Sequence, residues 1–359
     1  MSTSTLLSIC IPTYQRSALL RVMLETLMPQ VAAVGDVVEV CIADNASTDE
    51  TGSVIDAARA AHPDARVTYT RHAENRGAIR NLIGCATEQA TGQYVWAIGD
   101  DDLLLPGAVA RVVTALRAYP DVQLFYANFA CASFPLHWPQ SAHGGYTGPI
   151  ASLACNHVHD RRVSHWQEIL DPESSMGTHL YAHIVARSIW TQYWNGRELA
   201  PDYRSAESTY PHTAMLVEVA FNAPAHYLGM PHLVSFNERP GWADGHAARI
   251  LLVAMPLLIA KMDDRGLGLQ CLIRARAFLR QLARDSYLPL ISGRGAADAA
   301  DVITLSLAIG ERYPELIDAM MDALQHTNGV VVPEVIDAVR AALASAQVRN
   351  QRTREAVAA

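Results

Sequence analysis

Short apolar runs of strand type alternate with helical patterns along the first third of the chain. The strand-like runs cover residues 6–12, 37–43, 66–70, 93–98 and 122–127, and helical patterns lie between them near 17–29, 49–61, 77–90 and 106–119. Strands rich in Val and Ile that alternate with helices predict a mostly parallel sheet with helices on both faces. The sequence therefore predicts an α/β fold built on a doubly covered sheet.

Polar clusters follow four of these strands. They read Ile11-Pro12-Thr13-Tyr14, Asp44-Asn45-Ala46-Ser47-Thr48-Asp49, Asn75-Arg76-Gly77 and Asp100-Asp101-Asp102. In an open α/β sheet, ligands bind at the edge formed by the carboxyl ends of the strands. We therefore expect the four clusters to meet in one ligand site.

The aspartate triplet is the strongest chemical signal among the clusters. Three adjacent carboxylates at the end of a strand repel one another unless a cation neutralises them. Mg²⁺ and Mn²⁺ prefer carboxylate oxygens and bridge readily to phosphate. The alternative interpretation is a solvated acidic turn that caps the next helix, since aspartate is a good N-cap residue.

Taken in order, the four motifs identify a family. The chain resembles the inverting glycosyltransferases of family 2 with a GT-A fold, which transfer a sugar from a nucleotide-sugar donor. The similarity includes the Leu105-Pro106-Gly107 sequel to the triplet. It is strong over about residues 5–130 and weak over about 130–240. The run Trp96-Ala97-Ile98-Gly99 before the triplet resembles the branch that includes abequosyltransferases and other O-antigen enzymes.

The resemblance implies a donor site and a divalent metal, Mn²⁺ or Mg²⁺. Thr13, Tyr14 and Asp44 would hold the nucleoside, with Asp44 accepting a hydrogen bond from the base. Arg76 would meet the phosphates, and Arg80 lies one helical turn later. The residues that we assign to the nucleotide are Pro12, Thr13, Tyr14, Asp44, Asn45, Arg76, Arg80 and Asp100. The competing interpretations are a helix cap for Asp44 and a solvated surface position for Arg76.

The triplet can be aligned with the family in two ways. Read as Asp-x-Asp, the pair is Asp100 and Asp102; aligned on Asp-Asp-x-x-Leu-Pro-Gly, the pair is Asp101 and Asp102. Gly99 then stands where the family commonly has another aspartate. We expect Asp101 or Asp102 to be the direct metal ligand, and Asp100 to contact the ribose or to lie just outside the metal's own ligands.

The catalytic base is expected about a hundred residues after the triplet. Glu207 is the acidic residue in that window, without the Glu-Asp pair that is usual in the family, and Asp202 is its rival. His212 is a further candidate for the base or for an acceptor contact. Late metal-binding histidines occur in GT-A enzymes, which makes His246 a candidate third ligand.

Two domains are predicted. Residues 1–240 form the transferase domain, with a nucleotide-binding half of about 1–130 and an acceptor half of about 131–240. In the second half we expect acceptor-binding loops over 131–165, a strand over 180–186, helices near 188–194 and 211–222, and a hairpin over 225–237. Residues 241–359 form a helical C-terminal subdomain with apolar stripes at helical spacing, namely Leu316, Ile317, Met320, Met321 and Leu324, and Val335, Ile336, Val339 and Leu343.

The composition of the chain excludes some classes of binding partner. The net charge is −8 and no basic stripe is present, which argues against a nucleic-acid binder. Lys261 is the single lysine, so phosphate must be neutralised by arginine, backbone N–H groups and metal. Six cysteines without a Cys-x-x-Cys pair indicate free thiols. We expect a cytoplasmic protein that can contact the inner face of the membrane peripherally and can form homo-oligomers through the C-terminal helices.

The sequence thus predicts an inverting, metal-dependent glycosyltransferase of bacterial surface polysaccharide or of proteins. Its partners would be a nucleotide-sugar donor and a glycan, lipid-linked or protein acceptor. Two alternatives stay open. One is a non-catalytic scaffold that binds nucleotide or glycan on the same fold. The other is a nucleotidyltransferase that makes nucleotide sugars, although the first motif lacks the glycine-rich loop expected for that chemistry.

Overall fold

The computed structural model describes residues 5–133, 144–237, 245–291 and 298–326, together with Val339. The chain divides into two compact units, one of Met1–Leu199 and Pro211–Pro240 and one of Ala200–Tyr210 and Gly241–Ala359. The chain enters the second unit again at Gly241, and the predicted division into domains stays a prediction. Residues 200–210, which the sequence analysis placed in the transferase domain, belong instead to the second unit.

The larger sheet of the first unit contains eight strands among the described residues. They are β1 Leu7–Thr13, β2 Val38–Asp44, β3 Arg66–Arg71, β4 Tyr94–Ala97, β6 Leu124–Ala127, β9 Arg161–Val163, β10 His183–Ala186 and β11 Ala225–Leu228. Their order across the sheet is β3-β2-β1-β4-β10-β6-β11-β9. β3, β2, β1 and β4 are parallel, and β10 is antiparallel to both of its neighbours. The five strands predicted before residue 130 and the strand predicted near 180–186 are all present.

Helices connect these strands, as the alternating pattern predicts. They are α1 Ser17–Val34, α2 Thr51–Ala61, α3 Ala78–Gly84, α4 Ala108–Ala118, α5 Arg187–Trp194 and α6 Pro211–Val219. A wide helical turn, Cys85–Gln89, continues α3. Every residue of β2 is buried, so this strand lies at the centre of the core.

Within the described part of the chain, one helical segment, Ser17–Val37, is long and apolar enough to cross a membrane. It lies near the N-terminus, and 44% of its apolar window is buried inside the molecule. Its apolar side chains Leu20, Met23, Leu27 and Val31 are fully buried or nearly so. This burial is typical of a core helix that covers a sheet.

A second sheet of four strands shows that the predicted hairpin over 225–237 is wrong. Its strands are β5 Leu103–Leu104, β7 Ala130–Ser133, β8 Ser152–Leu153 and β12 Leu233–Asn237, in the order β5-β12-β7-β8. β11 pairs with β6 in the larger sheet, whereas β12 pairs with β7 in the smaller one. The two halves of the expected hairpin therefore never pair with each other.

Asn128 explains this crossing between sheets. It lies between β6 and β7, its N–H donates to the carbonyl of Leu228 at 2.9 Å, and its carbonyl accepts from the N–H of His232 at 2.9 Å. Its side-chain amide also donates to the carbonyl of Gly229 at 2.8 Å. The two connections thus pass from one sheet to the other side by side, and each strand takes a non-local parallel partner.

The second unit is helical in its described part. Its helices are α7 Ala247–Arg249, α8 Met255–Asp264, α9 Leu269–Ile291, α10 Ala299–Ile309 and α11 Pro314–His326, with a wide turn, Ile250–Ala254, between α7 and α8. On α11, Leu316 and Met320 are buried as the stripe predicts, whereas Met321 is exposed. Arg276 of α9 pairs with Glu315 of α11 at 2.8 Å.

Several sequence predictions fall on residues that are not described. These are residues 134–143 of the expected acceptor loops, residues 241–244 before His246, and the second apolar stripe apart from Val339. All six cysteines are described and carry free thiols, which confirms the prediction from their spacing.

Candidate functional site

The carboxyl ends of β1, β2 and β4 lie side by side at one edge of the larger sheet. In the parallel pair of β1 and β2, Thr13 is opposite Asp44. The Thr13 hydroxyl donates a hydrogen bond to Oδ2 of Asp100, which follows β4, at 2.7 Å. The structure therefore brings the first, second and fourth motifs to the same edge.

The loops that follow β1 and β2 are joined through Gln15. Gln15 and Ala46 have left-handed backbones, with φ of 55° and 68°, a conformation that costs about 1–3 kcal/mol for a residue other than glycine. The N–H of Gln15 donates to the Ser47 hydroxyl at 2.9 Å, and its side-chain oxygen accepts from the N–H groups of Thr48 and Asp49 at 3.1 Å. These bonds hold two strained loops in one arrangement at the sheet edge, as is common at functional sites.

Asp44 is buried and bonded at both oxygens. Its Oδ1 accepts from the N–H of Ser47 at 2.8 Å, and its Oδ2 accepts from the Tyr69 hydroxyl at 2.8 Å. Burial and the Asp44 carboxylate raise the pKa of Tyr69 to about 12, so this hydroxyl stays a donor. The start of α2 is bonded by Asp49, whose Oδ1 accepts from the N–H of Thr51 at 3.2 Å. A helix-capping role for Asp44 is therefore not what the structure shows.

Asn45 ties the third motif to the end of β2. Its side-chain oxygen accepts from the N–H of Arg76 at 2.8 Å, and its amide nitrogen donates to Oδ1 of Asn75 at 2.8 Å. Gly77 has a φ of 89°, a left-handed conformation that suits glycine, and its N–H donates to Asn75 at 2.9 Å. The loop that carries Arg76 is thus fixed beside Asp44.

A short relay orients the Arg76 guanidinium. Its Nη1 lies 3.2 Å from Nδ1 of His72, and Nε2 of His72 lies 3.0 Å from Oδ1 of Asn81. The amide nitrogen of Asn81 donates to the carbonyl of Ala43 at 2.8 Å, so its oxygen must be the acceptor. His72 therefore carries its proton on Nε2 and accepts from Arg76 at Nδ1.

Arg76 and Arg80 line one cavity of about 470 Å³ in the first unit. Arg80 lies on α3, and its Nη2 donates to the carbonyl of Leu199 at 3.0 Å. The other lining residues include Glu88, Trp194, Arg197 and Glu198. The two predicted phosphate-binding arginines are therefore brought together in a cavity of mixed charge.

Arg16 bridges two carboxylates of the triplet. Its Nη1 lies 2.7 Å from Oδ1 of Asp100, and its Nη2 bonds to Oδ2 of Asp101. Burial by itself lowers the pKa of Arg16, but the charges of Asp100 and Asp101 outweigh burial and raise it. The triplet thus carries an internal counter-charge that the sequence analysis did not assign.

Asp101 and Asp102 converge on Gly99. Oδ2 of Asp102 accepts from the N–H of Gly99 at 2.8 Å. A Cβ atom at position 99 would lie 2.5 Å from Oδ1 of Asp101 and 2.8 Å from Oδ2 of Asp102. One oxygen from each carboxylate therefore occupies the space that a side chain at position 99 would fill, which gives a physical reason for glycine where the family commonly has aspartate.

This donor set fits a hard divalent cation. The converging groups are carboxylate oxygens, which Mg²⁺ and Mn²⁺ prefer. Among the described residues, no group of three or more His, Cys, Asp or Glu side chains is arranged to hold a metal. A cation at Asp101 and Asp102 would therefore take its remaining ligands from water and substrate phosphate, as Mg²⁺ commonly does.

Comparison with known proteins places this arrangement in a family. Residues 8–166 match the model of glycosyl transferase family 2. Residues 8–166 are therefore similar to a family 2 glycosyltransferase domain. Abequosyltransferase RfbV of Salmonella typhimurium is 28% identical to this glycosyltransferase over 253 residues, which cover 69% of the chain and 72% of RfbV.

Solved structures agree on the fold. The TarS 1–349 fragment of S. aureus in complex with UDP matches with a TM-score of 0.55 at 13% identity, over 96% of the chain and 91% of the fragment. The same fragment in complex with UDP-GlcNAc gives a TM-score of 0.51 at 12% identity, over 89% and 91%. The predicted GT-A fold with a helical C-terminal region is confirmed.

His212 lies in the core of the glycosyltransferase's first unit. The residue is buried, its Nε2 lies 3.0 Å from the carbonyl of Thr178, and its ring packs 5.3 Å from that of His183. Burial lowers the pKa of His212 well below its ordinary value, so the ring is neutral. Its position favours a packing role and does not support the predicted catalytic one.

Glu207 and His246 both belong to the second unit. Glu207 forms an ion pair with Lys261, with 2.7 Å between Oε1 and Nζ. Burial alone would raise the pKa of Glu207, but the hydrogen bond from Lys261 and its charge lower it. The ring of His246 packs 4.6 Å from that of Tyr203.

Three residues of the site escaped the sequence analysis. Arg16 follows the first motif and had no assigned role, because its contact with Asp100 and Asp101 joins segments that are far apart in the chain. Tyr69 and His72 carried no motif. They reach Asp44 and Arg76 only because β3 pairs with β2 in parallel register.

Proposed function

We propose that this glycosyltransferase is an inverting enzyme that transfers a sugar from a nucleotide-sugar donor to a hydroxyl group of a bacterial surface glycan. The observation that carries the proposal is the convergence of Asp101 and Asp102 beside Gly99, at the sheet edge where Thr13 meets Asp44. The name of its relative, abequosyltransferase RfbV, supports a sugar-transfer reaction of this kind.

The nucleoside would bind at the ends of β1 and β2. Tyr14 is 42% exposed and can offer an aromatic face to the base, whereas Thr13 and Asp44 are buried and define the floor of the site. In the protein as described, Asp44 is already bonded by Ser47 and Tyr69. A base that reached Asp44 would therefore replace or share the bond from Tyr69, while Pro12 and Asn45 shape the two loops around it.

The diphosphate would lie between the triplet and Arg76. Asp101 and Asp102 would hold a divalent cation, Mn²⁺ or Mg²⁺, with Asp100 beside them, and such a cation neutralises the charge that develops on the leaving nucleotide. Arg76 approaches from the third motif, and its relay to His72 keeps the guanidinium oriented. Arg80 would extend this positive surface along α3.

The acceptor hydroxyl needs a base opposite the leaving group. We keep Glu207 in this role as a sequence-based proposal, with His246 as a third metal ligand; both stay predictions. The ion pair with Lys261 makes Glu207 a weaker base than a free glutamate, because its pKa is lowered. An acceptor or donor that disengages Lys261 would restore its basicity.

The setting proposed for this enzyme is the cytoplasmic face of the membrane, with peripheral contact to a lipid-linked or protein-linked acceptor. We also propose, from the sequence, that the protein forms oligomers through its C-terminal helices. In the described part of the second unit, Leu269 and Ile273 on α9 are exposed apolar side chains that such an assembly could cover.

The test is a thermal-shift screen of UDP, GDP, dTDP and CDP with and without Mn²⁺. A ligand that binds only the folded protein stabilises it by about 2.7 kcal/mol at a hundredfold excess over Kd. We expect one nucleotide to stand out and to require Mn²⁺. The double variant Asp101→Ala with Asp102→Ala should fold but lose this shift.

Donor hydrolysis separates the alternatives. A transferase releases nucleoside diphosphate slowly from the matching nucleotide sugar, whereas a non-catalytic scaffold binds the donor without releasing it. A nucleotidyltransferase would instead consume nucleoside triphosphate and sugar phosphate and release pyrophosphate. Mn²⁺-independent nucleotide binding that persists in the double variant would contradict the proposed site.

A further inference from the structure

Arg16 occupies the place of a cation in the triplet. Its guanidinium bonds to Asp100 with one nitrogen and to Asp101 with the other. Its side chain is only 20% exposed, and that of Asp100 is 3% exposed. The bridge therefore lies in a partly desolvated setting, where charge-assisted hydrogen bonds are strong.

The two ends of this bridge differ. Asp100 is held at both oxygens, because its Oδ1 accepts from Arg16 and its Oδ2 accepts from the Thr13 hydroxyl at 2.7 Å. Asp101 has a side chain that is 25% exposed, and its Oδ1 converges with Oδ2 of Asp102 beside Gly99. Asp101 is thus shared between the guanidinium and the place where a metal would bind.

A divalent cation that binds the Asp101 carboxylate weakens the ion pair between that carboxylate and the Arg16 guanidinium. Metal binding at Asp101 and Asp102 draws electron density from the carboxylate and places two positive charges next to the arginine. At the close range of an ion pair in a partly buried site, salt screens this repulsion much less than it screens exposed charges. The bond from Arg16 to Asp101 is the one that a metal would affect, because the Asp101 carboxylate is the more exposed of the two and also faces Asp102 beside Gly99.

We propose that Arg16 is a placeholder cation that the metal displaces from Asp101. In the metal-free protein the guanidinium neutralises the triplet. When the metal binds, Arg16 keeps its bond to Asp100 and releases Asp101, and the freed edge of the guanidinium becomes available to the diphosphate of the donor. This exchange rests on the proposed function, because it assumes a metal at Asp101 and Asp102.

The experiment measures Mn²⁺ uptake by calorimetry and by electron paramagnetic resonance, in the full chain and without nucleotide. The variants are Arg16→Gln, which removes the competing charge, and Arg16→Lys, which keeps a charge but lacks the planar pair of Nη donors that binds one carboxylate with each nitrogen. The matched control is Arg21→Gln, since the Arg21 side chain is 55% exposed and lies 3.5 Å from the exposed Glu50.

The exchange predicts a graded order of affinity for Mn²⁺. Arg16→Gln should bind it about tenfold more tightly than wild type, the value of one charge-assisted hydrogen bond that no longer has to be broken. Arg16→Lys should fall between them, and Arg21→Gln should match wild type. With Mn²⁺ saturating, Arg16→Gln should bind the nucleoside diphosphate at least severalfold more weakly than wild type.

The outcomes separate this inference from the proposed function. If wild type takes up Mn²⁺ but Arg16→Gln binds it no more tightly, the exchange is wrong and the metal site stands. If Arg16→Lys matches wild type, the effect is one of charge alone and the release of Asp101 is wrong. If neither wild type nor Arg16→Gln takes up Mn²⁺, the metal site itself is wrong and the exchange fails with it.

Discussion

The substitution Gly99→Ala tests the arrangement of the triplet with the smallest possible change. A Cβ at this position would lie 2.5 Å from Oδ1 of Asp101 and 2.8 Å from Oδ2 of Asp102, whereas ordinary contact begins at 3.4 Å. The Asp101 oxygen must therefore retreat by about 0.9 Å and the Asp102 oxygen by about 0.6 Å. A misplacement near 1 Å can reduce a site's performance by about 100-fold. We expect Mn²⁺ affinity to fall by about 10- to 100-fold, or about 1.4–2.7 kcal/mol.

The fold should tolerate this change. The backbone of Gly99 is outside the left-handed region, so alanine can adopt it, and we expect the free energy of unfolding to change by less than about 1 kcal/mol. Calorimetric Mn²⁺ titration and thermal unfolding measure the two effects separately. The matched control is Gly268→Ala, because a Cβ there meets no atom within 4 Å. Wild-type Mn²⁺ affinity in Gly99→Ala would refute the idea that Asp101 and Asp102 form the metal site beside this glycine.

Three further predictions concern carboxylates elsewhere in the chain. Glu207→Gln should slow transfer by about 10²- to 10⁴-fold with donor binding intact; transfer within a few-fold of wild type would eliminate Glu207 as the base. Lys261→Met removes the group that lowers the pKa of Glu207, so the acidic limb of the rate–pH profile should move to higher pH; an unmoved limb would contradict this. Burial raises the pKa of Glu39, but its hydrogen bonds and the charge of Arg66 outweigh burial, so the pKa is lowered. The stability that the ionised Glu39 contributes is therefore present above about pH 4.5 and is lost as the pH falls through the lowered pKa. Glu39→Gln should therefore lower Tm at pH 7 and flatten its decline in acid, measured by thermal unfolding across pH, and an unchanged acid decline would show that Glu39 does not cause it.

Part of the candidate site could be read from the chain because its signals are local. A buried strand must be apolar and a ligand-binding loop must be polar, so a change from apolar to polar residues marks the end of each strand. Thr13, Asp44, Asn45 and Arg76 were placed correctly at one sheet edge for this reason. His212 shows where a local signal is ambiguous, because a histidine in a short motif looks the same whether it faces a substrate or packs in the core; in the structure it is buried.

The hairpin over 225–237 shows the limit of local pattern. Two short apolar segments close together favour a hairpin, and the sequence holds nothing that opposes it. In the structure, the connection between the two segments is instead hydrogen-bonded to Asn128, about a hundred residues earlier, and β12 pairs with β7 in the second sheet. A contact of that sequence separation leaves no trace in the periodicity of either segment.

The sequence by itself determined the α/β order of strands and helices, the resemblance to family 2 glycosyltransferases and the edge of the sheet at which the polar motifs gather. All of these follow from residue type and spacing within about ten residues. Only the tertiary structure decided that Arg16 bridges Asp100 and Asp101, that Asp101 and Asp102 converge beside Gly99, and that Glu207 pairs with the single lysine. The physical reason is that the strength of an ion pair depends on the distance and burial of its charges, and both are set by the packing of segments far apart in the chain.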